Sequence, residues 1–127
     1  MKYASGNWVN YNGKNYQLAS INSDETIRLK TDDVSHENYH NGSIGCFDLK
    51  SIKPVIITED WLNKFGFRII SEYGKFANVY RLYDEDALWI YEDGSVQMKL
   101  PKLRDLKYIH ELQNLYWDLY GKELTIK

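Results

Sequence analysis

YIHELQNLYWDLYGKEL, residues Tyr108–Leu124, decides how the rest of the chain is read. Leu106, Ile109, Leu112, Leu115, Tyr116 and Leu119 recur at helical spacing, so one side of the segment is apolar. Gly121 follows at once, where a helix end favours a residue that tolerates positive φ. Asp105 stands where an N-cap is wanted. A helix with one apolar side needs a cover, and the preceding residues must supply it.

Upstream, four short runs read as strands: 67–73, 76–83, 87–92 and 95–100. Gly74-Lys75, Asp84-Glu85-Asp86 and Asp93-Gly94 are turn signals between them. Connections this short force antiparallel neighbours. Pro101 closes the last strand, and the terminal helix is expected across one sheet face. Leu124 and Ile126 read as a short added edge strand. Before the meander, Thr58 with Glu59 and Asp60 caps and charges a short helix carrying Trp61, Leu62 and Phe65, and Gly66 ends it.

Residues 7–30 read as a β-meander whose first hairpin turns at Asn12-Gly13. Thr31–Ser43 is polar and aperiodic, a loop or insertion. Ile44–Leu49 and Ile52–Pro54 complete the strand set on either side of a short turn. Four or five short strands in fifty residues suggest a small SH3-like β-barrel. The fold class is therefore α+β, with residues 1–56 as the barrel-like unit. Residues 57–127 supply the short helix, the antiparallel meander and the C-terminal helix. The two parts are expected to pack as one body, since no Gly/Ser/Pro-rich tract divides them.

The pattern resembles an uncharacterised family of small proteins from Bacteroides-group bacteria and their phages. The residues that carry the likeness are IGCFDLKSIKP (Ile44–Pro54), ITEDWLNKFGF (Ile57–Phe67) and the Tyr108–Leu124 helix with its Thr-Ile-Lys ending. The Thr31–Ser43 loop is longer and more polar than that family leads one to expect. The family has no established activity, so the resemblance implies a setting and no site residue: a phage or mobile-element accessory protein in a bacterial cytoplasm.

Bulk properties narrow the classes. The 127 residues are 43% hydrophobic and 27% charged, a globular balance. Eleven Tyr, four Trp and four Phe suit half-buried sheet faces and binding surfaces alike. The formal net charge of −2 gives no general attraction for a polyanion. Cys46 is the single cysteine, so no internal disulfide forms. In its strand it reads as a buried, inert thiol. No apolar run reaches membrane-spanning length and no signal-peptide pattern opens the chain, so a cytoplasmic protein without membrane contact is the expectation.

Three constellations bear on chemistry. His36-Glu37-Asn38-Tyr39-His40 spells H-E-x-x-H, which binds zinc when a rigid helix sets both imidazoles on one side, with Glu59 as a conceivable third ligand. The polar, Asn41-Gly42-broken context reads instead as a loop with incidental histidines, so the expectation is no metal and no cofactor. Lys99, Lys102, Arg104 and Lys107 with Tyr108 make a basic stripe, the best nucleic-acid candidate in an acidic chain. On the terminal helix, Tyr108 and Trp117 with His110, Glu111, Gln113 and Asn114 suggest either a polar-aromatic patch or a solvated helix side. No phosphate loop, nucleophile elbow or calcium loop occurs. The best class is a non-enzymatic binding protein that engages a host or self protein partner. Nucleic-acid or nucleotide binding is the alternative, and zinc hydrolysis stands third.

Overall fold

The structure is a computed structural model that describes residues 2–69, 79–82, 85–91, 95–98 and 102–127, with side chains for 2–67 and 106–127. The fold is α+β and divides into two compact units, Met1–Val55 and Ile56–Lys127. No helix of the described residues is long and apolar enough to cross a membrane.

The first unit is a six-stranded antiparallel sheet: β1 (Trp8–Tyr11), β2 (Lys14–Ile21), β3 (Thr26–Lys30), β4 (Tyr39–His40), β5 (Ser43–Asp48) and β6 (Ile52–Pro54), in the order β4-β5-β3-β2-β1-β6. Asn12 and Gly13 both take positive φ (55° and 85°), the two-residue turn whose twist suits a hairpin. A second Asn-Gly, Asn41 and Gly42 at φ 47° and 83°, joins β4 to β5 in the same way. The polar stretch expected as a loop thus ends in a strand pair. A 3-10 turn at Leu49–Ser51, opened by Asp48 accepting from Lys50 N–H at 2.9 Å, leads into β6.

Alternation sorts the side chains onto two faces. Val9, Leu18, Ile27, Leu29, Ile44 and Ile52 form the buried core, with Tyr3, Tyr11, Tyr16, Tyr39, Phe47 and Leu49 packed half-buried against it. Tyr11 and Phe47 stack with centroids 4.4 Å apart although β2 and β3 lie between their strands. Three strand spacings in a flat sheet span roughly 14 Å, so the sheet curls over its core. Its strand order is open: the described pairings join no strand across β4 and β6. Both end strands are short, two and three residues, and Pro54 in β6 lacks an N–H.

One irregularity resets the alternation. Ile27 pairs with Phe47 but Arg28 with Gly45, so Cys46 is an extra residue in β5. Ile44 and Phe47 turn inward, and Cys46 is left exposed. The buried thiol expected of a strand cysteine is therefore corrected.

In the second unit, α1 (Glu59–Lys64) begins as the sequence predicts: Thr58 Oγ1 accepts from Trp61 N–H at 3.3 Å, and Glu59 and Asp60 occupy the first turn. The strands are β7 (Phe67–Ile69), β8 (Val79–Leu82), β9 (Glu85–Tyr91), β10 (Ser95–Met98) and β11 (Lys102–Asp105), an antiparallel sheet in the order β11-β10-β9-β8-β7. β11 adds a fifth strand after Pro101, where the sequence reading ended the sheet. The expected turns at Gly74-Lys75 and Asp93-Gly94, and Asp84 of the third, lie outside the described residues. α2 (Ile109–Tyr120) starts three residues later than an Asp105 cap would set it: Tyr108 is the N-cap, and Asp105 ends β11. Glu111 Oε1 accepts from Tyr108 N–H at 2.9 Å and Lys107 N–H at 3.1 Å, closing the helix start. Ile57 N–H donates to Lys107 O, and Ile56 bridges Tyr108, so the lead-ins to both helices run side by side. Gly121 ends α2 at φ 67°.

Leu106, Ile109, Leu112, Leu115 and Tyr116 of the predicted apolar side are buried, and Leu119 is half-buried. Beyond α2, Leu124 is buried, Ile126 is exposed, and Lys127 N–H donates to Lys64 O at 2.7 Å. The tail forms no strand.

Candidate functional site

The predicted basic stripe is described only in part. Lys99 lies outside the described residues, and Lys102 and Arg104 are fixed as backbone positions of β11 opposite Gln97 and Val96. Lys107 is exposed with its Nζ 5.4 Å from the Tyr108 ring centroid, and His110 stacks on the same ring at 5.8 Å. Tyr108 is thus already contacted by two neighbours. Trp117 is exposed, but a helix turns about 100° and rises about 1.5 Å per residue. Nine residues place it roughly half a turn round and about 13 Å along from Tyr108, so the two rings do not share a patch.

The polar residues of α2 also depart from the reading. His110 and Gln113 are buried at 2% and 5% exposure, so this flank of the helix is not a solvated side. Burial pushes the His110 imidazole below its ordinary value, opposed by the Glu111 carboxylate beside it. Periodicity marks only the strongly apolar positions; His and Gln next to them give no signal of burial.

The H-E-x-x-H segment is not helical. Residues 34–38 turn and Tyr39–His40 form β4, so the two histidines do not rise on one helix side. His36 Nδ1 accepts from Asn38 N–H at 3.1 Å, and His40 Nε2 lies 3.2 Å from Asn41 Nδ2. Both rings are engaged by neighbouring amides. Glu59 is an exposed first-turn residue of α1 in the other unit. Among the described residues, no three His, Cys, Asp or Glu are grouped to hold a metal ion.

Two features of the first unit carry the chemistry that the sequence did not single out. One is the half-buried aromatic rim of its core side: Tyr3, Tyr11, Tyr16, Tyr39 and Phe47. The Lys14 ammonium lies 5.3 Å from the Tyr16 ring centroid. The other lies on the outer side, where Arg28 reaches across β5. Its Nε donates to Ser43 Oγ at 2.8 Å, its Nη2 to Ser43 O at 3.3 Å, and its Nη1 lies 3.8 Å from Cys46 Sγ. Asn22 Nδ2 lies 3.9 Å from the same sulfur and donates to Thr26 Oγ1, whose hydroxyl donates to Asp24. The outward position of Arg28 is visible in Thr26–Lys30, where Ile27 and Leu29 alternate with it; its reach across β5 depends on the bulge, which the sequence does not announce.

No family model, curated protein or solved structure matches the chain.

Proposed function

We propose that this chain is a non-enzymatic binding protein that recognises a protein partner through the aromatic rim of its first unit. The observation that carries the reading is the group of half-buried rings packed on one small core, with Tyr11 and Phe47 stacked and Lys14 against Tyr16. Rings with one face in the core and an edge left open are rigid, and desolvating them on contact is favourable at low entropic cost. The reading includes a phage or mobile-element setting, a host component as partner and the cytoplasm as compartment; these rest on the resemblance alone. It also takes the first unit as a small SH3-like barrel and α2 as lying across the five-stranded sheet. The curl across Tyr11 and Phe47, and the 3-10 turn that returns β6 beside β1, support the barrel.

The test is affinity capture from a Bacteroides-group host lysate together with native mass spectrometry of the full chain. Wild type is expected to retain a protein, or to self-associate, and Tyr16→Ser is expected to lose that contact while keeping its amide spectrum. Neither partner nor self-association in the two measurements would overturn the reading. Retention unaffected by Tyr16→Ser and by a Tyr39→Ser variant would remove the rim as the surface. Nucleic-acid binding that weakens steeply with salt, and disappears in the Lys102→Glu, Arg104→Glu double variant, would replace it with the alternative.

A further inference from the structure

We infer that the outer face of the first sheet holds a carboxylate-binding site centred on Arg28, which takes an acidic side chain of the protein partner. The inference rests on the protein-binding reading and names the chemistry of the partner.

A guanidinium is rarely buried without a carboxylate beside it, because its charge is costly to desolvate alone. Arg28 is half-buried, and among the described residues no carboxylate lies within ion-pair distance of it. Neutral atoms hold it instead. A guanidinium has five N–H donors. The edge formed by Nε and Nη2 is taken by the hydroxyl and carbonyl of Ser43, and Nη1 is turned toward Cys46 Sγ. By count, one N–H remains on each Nη. Two such N–H groups make the fork that donates to both oxygens of a carboxylate.

The fork is fixed in place. Ser43 Oγ is itself locked by donating to His40 O at 3.1 Å. Gly45 leaves room for the arginine stem: a Cβ there would stand 3.0 Å from Arg28 Cγ. Little side-chain entropy is then lost when a ligand arrives. Lys30, exposed and two residues along β3, shares the outward side and pairs in register with Ser43, so a second cation flanks the fork.

The arrangement favours one carboxylate over a phosphate or a polyanion. Asp24 binds the Thr26 hydroxyl, and Asp48 is the register partner of Thr26, so two carboxylates stand at the same end of the sheet. They repel the higher charge of a phosphate or a polyanion more than the single charge of a carboxylate. The net charge of −2 acts in the same sense.

The test is an NMR titration of the full chain, following the Arg28 Nε–H signal at constant ionic strength. The probes are a blocked Gly-Glu-Gly tripeptide, its Gly-Gln-Gly counterpart and inorganic phosphate. The glutamate peptide is expected to give a saturable shift at Arg28, Ser43 and Cys46, with affinity about tenfold or more above the glutamine peptide, the difference of a charge-assisted fork. Arg28→Gln should abolish the shift at Ser43 and Cys46; if that variant does not fold, Lys30→Gln should weaken it severalfold. Equal affinity for the two peptides, tighter binding of phosphate, or an unchanged response in the variants would each overturn the inference. Partner capture that survives Arg28→Gln would also overturn it while leaving the binding reading intact.

Discussion

Replacing Gly45 with alanine probes the bulge that shapes both faces of the first unit. A Cβ at position 45 would stand 2.8 Å from the Ile27 carbonyl oxygen, 3.0 Å from Arg28 Cγ and 3.2 Å from Arg28 Cα. All three lie inside the roughly 3.5 Å of an ordinary contact. Two of the three atoms are backbone of β3, a strand tied on one side to β2 and on the other to β5, so they cannot swing aside. Overpacking of this kind costs about 1–3 kcal/mol, and a backbone obstacle sets it near the top of that range. Gly42→Ala is the control. Its Cβ meets nothing within 4 Å, but φ is 83°, so its cost is conformational, about 1–2 kcal/mol. At roughly 4 °C per kcal/mol for a chain of this length, Gly45→Ala should lower the melting temperature by about 10 °C and Gly42→Ala by about half as much. Amide NMR signals of residues 26–30 and 43–48, followed through thermal unfolding, read the first unit by itself. A Gly45→Ala protein that melts within a degree of the parent, or no lower than Gly42→Ala, would mean that β3 does not press on position 45.

Leu112 is fully buried on α2, so Leu112→Ala should cost about 2–5 kcal/mol in urea unfolding; a cost under 1 kcal/mol would mean that the helix side is not packed. Glu111→Ala removes the acceptor of the Lys107 and Tyr108 N–H groups and should cost about 1 kcal/mol, read by loss of exchange protection at those two amides. Cys46 is exposed, so a disulfide-forming thiol reagent should label it fully without denaturant, whereas labelling that waits on urea would return it to the core. Burial holds the His110 imidazole below 6.5, its value in the unfolded chain. The unfolded state therefore takes up a proton that the folded state refuses. Stability is complete above pH 6.5 and declines as pH falls below it toward the folded value. His110→Gln should flatten this decline in urea midpoints measured between pH 8 and pH 5, and an unchanged slope would exclude His110 as its source.

How far the fold is legible in the sequence depends on whether a signal is local. Asn12-Gly13, Thr58 and Gly121 specify φ angles or a hydrogen bond within their own few residues, and each stands where the sequence predicts. The second Asn-Gly at 41–42 carried the same information, but the polarity around it masked the hairpin. The exposure of Cys46 is not legible locally, because a bulge is set by the pairing of β5 with β3, earlier in the chain, and one extra residue reverses every later assignment of inside and outside. Asp105 is a good cap by type, but the cap observed works through Glu111 reaching back to Tyr108. The candidate site was the least legible part. Its aromatic rim and the Arg28 fork are assembled from the segment before β1 and from β1 to β5, and no single short window of residues contains the rim.

The shortness of β4 and the proline in β6 have a consequence for recognition. A long, regular border would let any extended backbone dock, with little regard for what it displays. With one border two residues long and the other ending at Pro54, neither edge offers much main chain for an extended backbone to pair with. On the binding reading proposed above, recognition rests on side chains, so a single replacement at the rim or at Arg28 should suffice to lose the partner.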